Sequence, residues 1–360
     1  MKLLEPTKLG ELLLKNRVFM APLTRSRADN DFGAPTHLHA EYYKQRSSAG
    51  LIISEGLPVS KQATGYKNIP GIYTHKQVEA WKPVTEMVHK HDGQIFAQLW
   101  HVGRLSHPSY LDGNAPVAPS AVNPNTLIST KSGRAKSVTP KSLTVDEIRN
   151  TVLDFRNAAQ NAIKAGFDGV EIHSSNGYLF HQFFCNASNT RTDQYGGSIE
   201  NKTRFLFEVI DALKEVLPED KIGLRLNPMM HEKYGILVDE ETTETFDFIV
   251  TRLNAYSVAY VHLTRPWQII DSPYFINDVI GHYRNLYRGF LIANGNYGFE
   301  DAEKEIATKR ADAIAFGRLF ISNPDLPERF ANHWPLTDPD PETFYTSGAE
   351  GYTDYCKYQA

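Results

Sequence analysis

Three features of this sequence predict an α/β fold built on a closed (β/α)8 barrel. Eight short apolar runs rich in β-branched and aromatic residues recur along the chain. Amphipathic helical patterns with start signals lie between them, and the 360 residues exceed the roughly 250 that eight βα units need. The runs are "RVFMAP" (17–22), "GLIISEG" (50–56), "GQIFAQLW" (93–100), "GVEIHSS" (169–175), "KIGLRLNP" (221–228), "VAYVHLT" (258–264), "GFLIAN" (289–294) and "DAIAFGR" (312–318). They are continuously apolar rather than alternating, the pattern of parallel strands covered on both faces.

The helices carry their own signals. Thr74 with Gln77 forms a capping box, after which Val78, Trp81, Val84, Met87 and Val88 recur at helical spacing up to a stop at Gly93. Thr144 with Glu147 repeats the box, and Leu143 and Ile148 stand where a hydrophobic staple would. In "SIENKTRFLFEVIDALKEVL", Phe205, Leu206, Val209, Ile210, Leu213, Val216 and Leu217 share one face. An N-terminal hairpin is expected before the first barrel strand. Between the third and fourth strands the chain spends nearly seventy residues, rich in Pro, Ser, Asn and Gly. A connection that long in a compact domain usually forms a lid or binding loop. The expected organisation is therefore one barrel domain over 1–360 with a lid excursion at about 101–143.

Composition narrows the function. Lys plus Arg is 38 against Asp plus Glu 42, a formal charge of −4, with no basic run to track a phosphate backbone, so nucleic acid is not the expected partner. Two cysteines, Cys185 and Cys356, are too few for a disulfide framework or an iron–sulfur cluster. No run of about 18 apolar residues and no signal-peptide pattern occurs, which predicts a cytoplasmic protein with no membrane partner. The thirteen histidines include no HExxH or comparable metal spacing, so His101, His107, His231 and His262 are read as structural or surface residues and no metal is expected.

In such a barrel, chemistry sits where strands end. Those positions hold Pro22, Leu23 and Thr24; Gly56; Gln98 and Trp100; His173, Asn176 and Tyr178; Arg225; Asn294 and Gly295; and Gly317 with Arg318. "ANGNYG" and "FGR" come after the last two strands, where backbone N–H groups commonly cradle phosphate, and Arg318 adds a charged donor. "IHSSNGY" supplies two donors at i and i+3 beside a phenol that stays protonated at neutral pH. Two preorganised donors can polarise one carbonyl or nitro oxygen, each worth about 3 kcal/mol, and a positioned acid adds about 10²–10⁴ in rate. Taken alone, the same residues could be satisfied core side chains with Asn176 in an Asx-turn.

With these motifs in view, the chain resembles the old yellow enzyme family of flavin-dependent ene-reductases over essentially its whole length. "MAPLTRSRA", "FAQLWHVGR", "GFDGVEIHSSNGYL", "NTRTDQYGGSIEN", "GLRLNP", "DAIAFGRLFISNPDL" and "GAEGYTDY" match its pattern in order. The likeness is greatest to the bacterial N-ethylmaleimide and nitrate-ester reductase branch.

The resemblance implies a bound FMN, reduced by transient NADPH or NADH and reoxidised by a small electron-poor alkene, in a monomer or homodimer. It implies Pro22, Leu23, Thr24, Gly56, Gln98, His173, Arg225, Gly295, Asn296, Gly317 and Arg318 at the flavin. Thr24 would tune the flavin's reactive edge. His173 and Asn176 would grip the substrate's activating oxygen, Tyr178 would donate the proton, and Tyr66, Trp100 and Tyr345 would line the substrate side.

The sequence departs from the family in places. It carries His-x-x-Asn where many bacterial relatives have His-x-x-His, His181 for a usual Asp, Lys202 for a usual Arg, and an uncommon phosphate turn. Trp267 is open to either a substrate or a packing role. The alternative functions are a flavin-free barrel aldolase or isomerase, for which no strand end supplies a lysine and only Glu55 a nearby carboxylate, and a non-catalytic or differently specialised flavin-binding barrel.

Overall fold

In the computed structural model, which describes residues 1–359, the eight predicted runs pair as one closed parallel barrel. Its strands are β1 (Val18–Met20), β2 (Ile52–Pro58), β3 (Ile95–Trp100), β4 (Gly169–His173), β5 (Ile222–Leu226), β6 (Tyr260–Thr264), β7 (Leu291–Asn294) and β8 (Ala313–Phe316). Each pairs with its sequence neighbour, and β8 returns to β1 through Ile314 opposite Val18. The register sets which polar side chains meet inside the barrel: Glu171 lies opposite Gln98, and Arg225 lies between His173 and His262.

The helices are α1 (His37–Gln45), α2 (His75–His89), α3 (Val145–Lys164), α4 (Leu179–Phe184), α5 (Ile199–Lys214), α6 (Thr242–Leu253), α7 (Val279–Leu286), α8 (Phe299–Ala307), α9 (Arg318–Ser322) and α10 (Leu326–Asn332). Both predicted capping boxes form, with Thr74 and Thr144 accepting from the Gln77 and Glu147 N–H groups. Helix α2 ends at His89, ahead of Gly93, because Asp92 already takes the left-handed conformation at φ +56°. Helix α5 ends at Lys214, so Val216 and Leu217 of the predicted stripe lie beyond it.

The predicted N-terminal hairpin pairs Thr7–Leu9 with Leu12–Leu14. Its Leu9 and Leu14 join Phe19, Phe96 and Tyr260 in a core that fills the bottom of the barrel, leaving the strands' C-terminal ends open. The excursion after β3 contains a hairpin of Leu127–Thr130 with Gly133–Lys136. It covers a small apolar cluster of Ile69, Trp100, Val102, Leu105 and Ile128 at the mouth. Both cysteines are free. Among the described residues no helix is long and apolar enough to cross a membrane, and no cluster of metal-ligating side chains occurs.

Candidate active site at the barrel mouth

Closure of the barrel brings strand ends that are far apart in sequence around one inner cavity of about 150 Å³. Its lining is Pro22, Thr24, Gly56, Gln98, Trp100, His173, Asn176, Tyr178 and Arg225, every one singled out from the sequence. Above it opens an outer cavity of about 1110 Å³ that shares Thr24, Trp100 and Tyr178 and adds Tyr66, Tyr234 and Tyr345. The 127–136 hairpin forms one wall of it. Tyr345 stands at the rim, 67% exposed.

His173, Asn176 and Tyr178 are each oriented by a partner. His173 Nδ1 lies 3.1 Å from the Ser175 hydroxyl. Burial, then the neighbouring Arg225 charge, keeps the imidazole neutral by holding it well below the usual histidine range. Asn227 donates to Asn176 Oδ1 at 2.9 Å, which leaves the Asn176 amide nitrogen for the cavity. Asn176 itself sits in the left-handed region at φ +57°, a conformation asparagine tolerates better than most residues. The Tyr178 hydroxyl meets that of Tyr66 at 2.9 Å. Burial pushes the Tyr178 phenol well above its ordinary value, so it carries its proton at neutral pH. Trp100 stacks on Tyr66 at 5.1 Å and lies edge-on to Tyr178 at 4.9 Å. Gly56 is required by this indole: a Cβ there would come within 2.5 Å of Trp100.

Arg225 is placed to hold a ligand rich in acceptor atoms. Arg225 is buried, its guanidinium makes one hydrogen bond, to Asn294 Oδ1 at 3.3 Å, and its Nε has no partner. A buried arginine with spare donors calls for acceptor atoms, as the pyrimidine oxygens of a flavin would provide. Asn294 leads into the predicted phosphate turn. There Gly295 at φ +122° and Asn296 at φ +52° open a left-handed bend, and Arg318 donates to Asn296 Oδ1 at 3.3 Å. Gly317 is the N-cap of α9 and lies against Leu23. These residues and Leu23 lie outside the inner cavity's lining, beside it.

The structure adds residues that sequence reasoning missed. Glu171, Asn227, Ser175, Arg265 and Tyr234 all orient or flank predicted ones. Glu171 could have been found by alternation, since it lies two positions before His173 on the same strand face, and Asn227 stands likewise two after Arg225. Arg265 donates to the Gly295 and Asn296 carbonyls at 2.7 and 3.3 Å. Arg104, from the excursion, donates to the Tyr234 and Gly235 carbonyls at 3.0 Å and so joins that loop to the one after β5. Arg25 and Arg27, next to Thr24, bind the carbonyls of Phe344 and Thr343 and hold the segment that bears Tyr345.

Several departures acquire reasons. His181 Nδ1 accepts the Gly177 N–H at 3.2 Å, a task a carboxylate could also perform. Lys202 is buried and pairs with Glu241 at 2.5 Å and Asn186 at 2.8 Å. Glu55 is buried beneath Tyr43 and His39, away from the cavity. Trp267 is 51% exposed with the Lys233 ammonium 4.3 Å above its ring, and lines neither cavity.

Comparison with known proteins agrees with this fold. The model of the NADH:flavin oxidoreductase / NADH oxidase family matches residues 2–337. The chain is 42% identical over 361 residues to 12-oxophytodienoate reductase 1 of Oryza sativa subsp. japonica, covering 98% of this chain and 92% of that one. It is 40% identical to flavin oxidoreductase hxnT of Emericella nidulans, covering 98% and 97%. Among solved structures, the old yellow enzyme homologue from Zymomonas mobilis superposes with a TM-score of 0.94 at 40% identity, over 99% of this chain and 100% of that one. Morphinone reductase in complex with tetrahydroNAD gives 0.93 at 43% identity, over 100% and 98%. With these matches and the residues at its barrel mouth, the chain belongs to the NADH:flavin oxidoreductase / NADH oxidase family of old yellow enzyme type, an oxidoreductase that uses FMN and a nicotinamide nucleotide.

Proposed function

We propose that this protein reduces the C=C bond of electron-poor alkenes, namely α,β-unsaturated carbonyls, maleimides and nitroalkenes, at the expense of NADPH or NADH. The observation that carries the reading is the convergence of His173, Asn176 and Tyr178 on one cavity with Arg225, whose Nε has no partner. The relatives named for 12-oxophytodienoate and morphinone bear names of oxo compounds, in keeping with a site that grips an oxygen.

Bound FMN, reduced by the nicotinamide nucleotide, would supply the hydride for the alkene's β-carbon. The rest falls to this chain's side chains. Gln98 and Arg225 would hold the pyrimidine end, Gly295, Asn296, Gly317 and Arg318 would hold the phosphate, and Pro22, Leu23, Thr24 and Gly56 would form the wall beside the ring. With Ser175 donating to Nδ1, His173 presents Nε2–H, and Asn176 presents its amide N–H beside it. Both donate to the substrate's carbonyl or nitro oxygen, where negative charge grows as hydride arrives. Tyr178 passes its proton to the α-carbon, and Tyr66 donates to the oxygen left behind. Trp100, Tyr66 and Tyr345 shape the substrate side. Nitrate esters and nitroaromatics offer oxygens to the same donor pair and are further substrates, as in the N-ethylmaleimide and nitrate-ester reductase branch that the sequence resembles.

The test is the visible absorption spectrum of the purified protein under anaerobic conditions. Adding NADPH should bleach the flavin bands, and 2-cyclohexenone should restore them. Bands that bleach and stay bleached with enone, maleimide and nitroalkene alike would leave a flavin protein without this activity.

A further inference from the structure

We propose that Glu171 is a positioning residue for the flavin, fixing the Gln98 amide and opposing the Arg225 charge so that the bound FMN keeps a low reduction potential. The inference rests on the proposed placement of Gln98 and Arg225 at the pyrimidine end.

Glu171 lies in the middle of β4, fully buried. Its Oε1 accepts from Gln98 Nε2 at 2.7 Å, and its Oε2 lies 2.8 Å from His262 Nδ1. Burial, the dominant effect on His262, lowers its basicity, so the ring is neutral. A neutral ring with Nδ1–H donates to the carboxylate, and its other nitrogen, Nε2, has no partner. Among the described residues no lysine or arginine pairs with Glu171, although a buried carboxylate without such a partner is costly. The chain nevertheless keeps it directly below the strand ends of the inner cavity.

Its position acts on the site in two ways. A carboxylate only accepts hydrogen bonds, so Gln98 must turn its nitrogen toward Glu171 and its carbonyl oxygen away, which removes a two-fold choice from the amide. The second effect is electrostatic. Glu171 is the foremost charge supporting the protonated form of Arg225 against burial. Reduction adds negative charge to a flavin. Arg225 favours that charge and Glu171 disfavours it, and in a water-poor site both act strongly. The carboxylate thus keeps the reduced cofactor a ready hydride donor.

Glu171→Gln separates charge from shape. Its amide oxygen can still accept from Gln98, and its NH2 can donate to His262 Nδ1 once that ring's proton moves to Nε2. The variant should fold, bind FMN and show a midpoint potential shifted positive of wild type in spectroelectrochemical titration. Its alkene half-reaction should slow while reduction by NADPH does not. Glu171→Leu removes both acceptors and should add a loss of FMN affinity, read by fluorescence titration; should it fail to fold, Glu171→Gln decides alone. A bound flavin whose potential is unchanged or more negative in Glu171→Gln overturns the inference. A normal potential shift without any alkene turnover in the wild type would instead overturn the proposed reaction and leave this inference standing.

Discussion

Replacing Tyr178 with Phe removes one oxygen and isolates the proton-transfer step. Tyr178 is half-buried, and Tyr66 at 2.9 Å is the single hydrogen-bonding neighbour of its hydroxyl. A positioned general acid contributes about 10²–10⁴ in rate, which corresponds to about 2.7–5.4 kcal/mol of barrier. Tyr66→Phe keeps the acid but removes the donor to the phenolate formed as the proton leaves. A hydrogen bond to a charged group is worth about 1.5–3 kcal/mol, so roughly ten- to a hundred-fold should be lost. Stopped-flow absorbance reads the two half-reactions apart. The expected result is a large loss in flavin reoxidation by 2-cyclohexenone for Tyr178→Phe, a smaller one for Tyr66→Phe, and near-normal flavin reduction by NADPH in both. Equal slowing of both half-reactions by Tyr178→Phe would refute the assigned role, because nucleotide oxidation requires no proton at the alkene.

Asn227→Leu should free the Asn176 amide to rotate, weakening one of two donors; with about 3 kcal/mol at stake per donor, a ten- to hundred-fold slower alkene half-reaction is expected in the same stopped-flow traces. Burial holds His39, His101 and His181 down to about 3. Their folded values lie below the unfolded one near 6.5, so the stability they add is complete above that pH and is lost as pH falls toward 3, costing about 2 kcal/mol per histidine at pH 5. Urea unfolding at pH 7 and pH 5 should show this, with a shallower acid limb in His101→Gln. Burial raises Glu55 to about 7. Its contribution has the opposite sign, present below about pH 4.5 and lost as pH rises through 7, so Glu55→Gln should gain about 3 kcal/mol above pH 7 in the same assay.

The sequence alone determined the alternation of eight buried strands with helices, the two capping boxes at Thr74 and Thr144, and the strand-end positions from which the inner cavity is lined. Those features depend on local periodicity and on a fixed rule of barrel geometry, so residues close in sequence suffice to reveal them. Helix ends were less legible, because α2 stops where Asp92 turns left-handed rather than at the next glycine. The partnerships that orient the site were decided by tertiary structure. Glu171 meets Gln98 across 73 residues, His262 meets Glu171 across 91, Asn227 meets Asn176 across 51, and Tyr66 meets Tyr178 across 112. Periodicity places a side chain on a strand face. Barrel closure, strand register and the path of the excursion determine which faces meet, and thereby which donor points at the cavity and which charge lies beneath it.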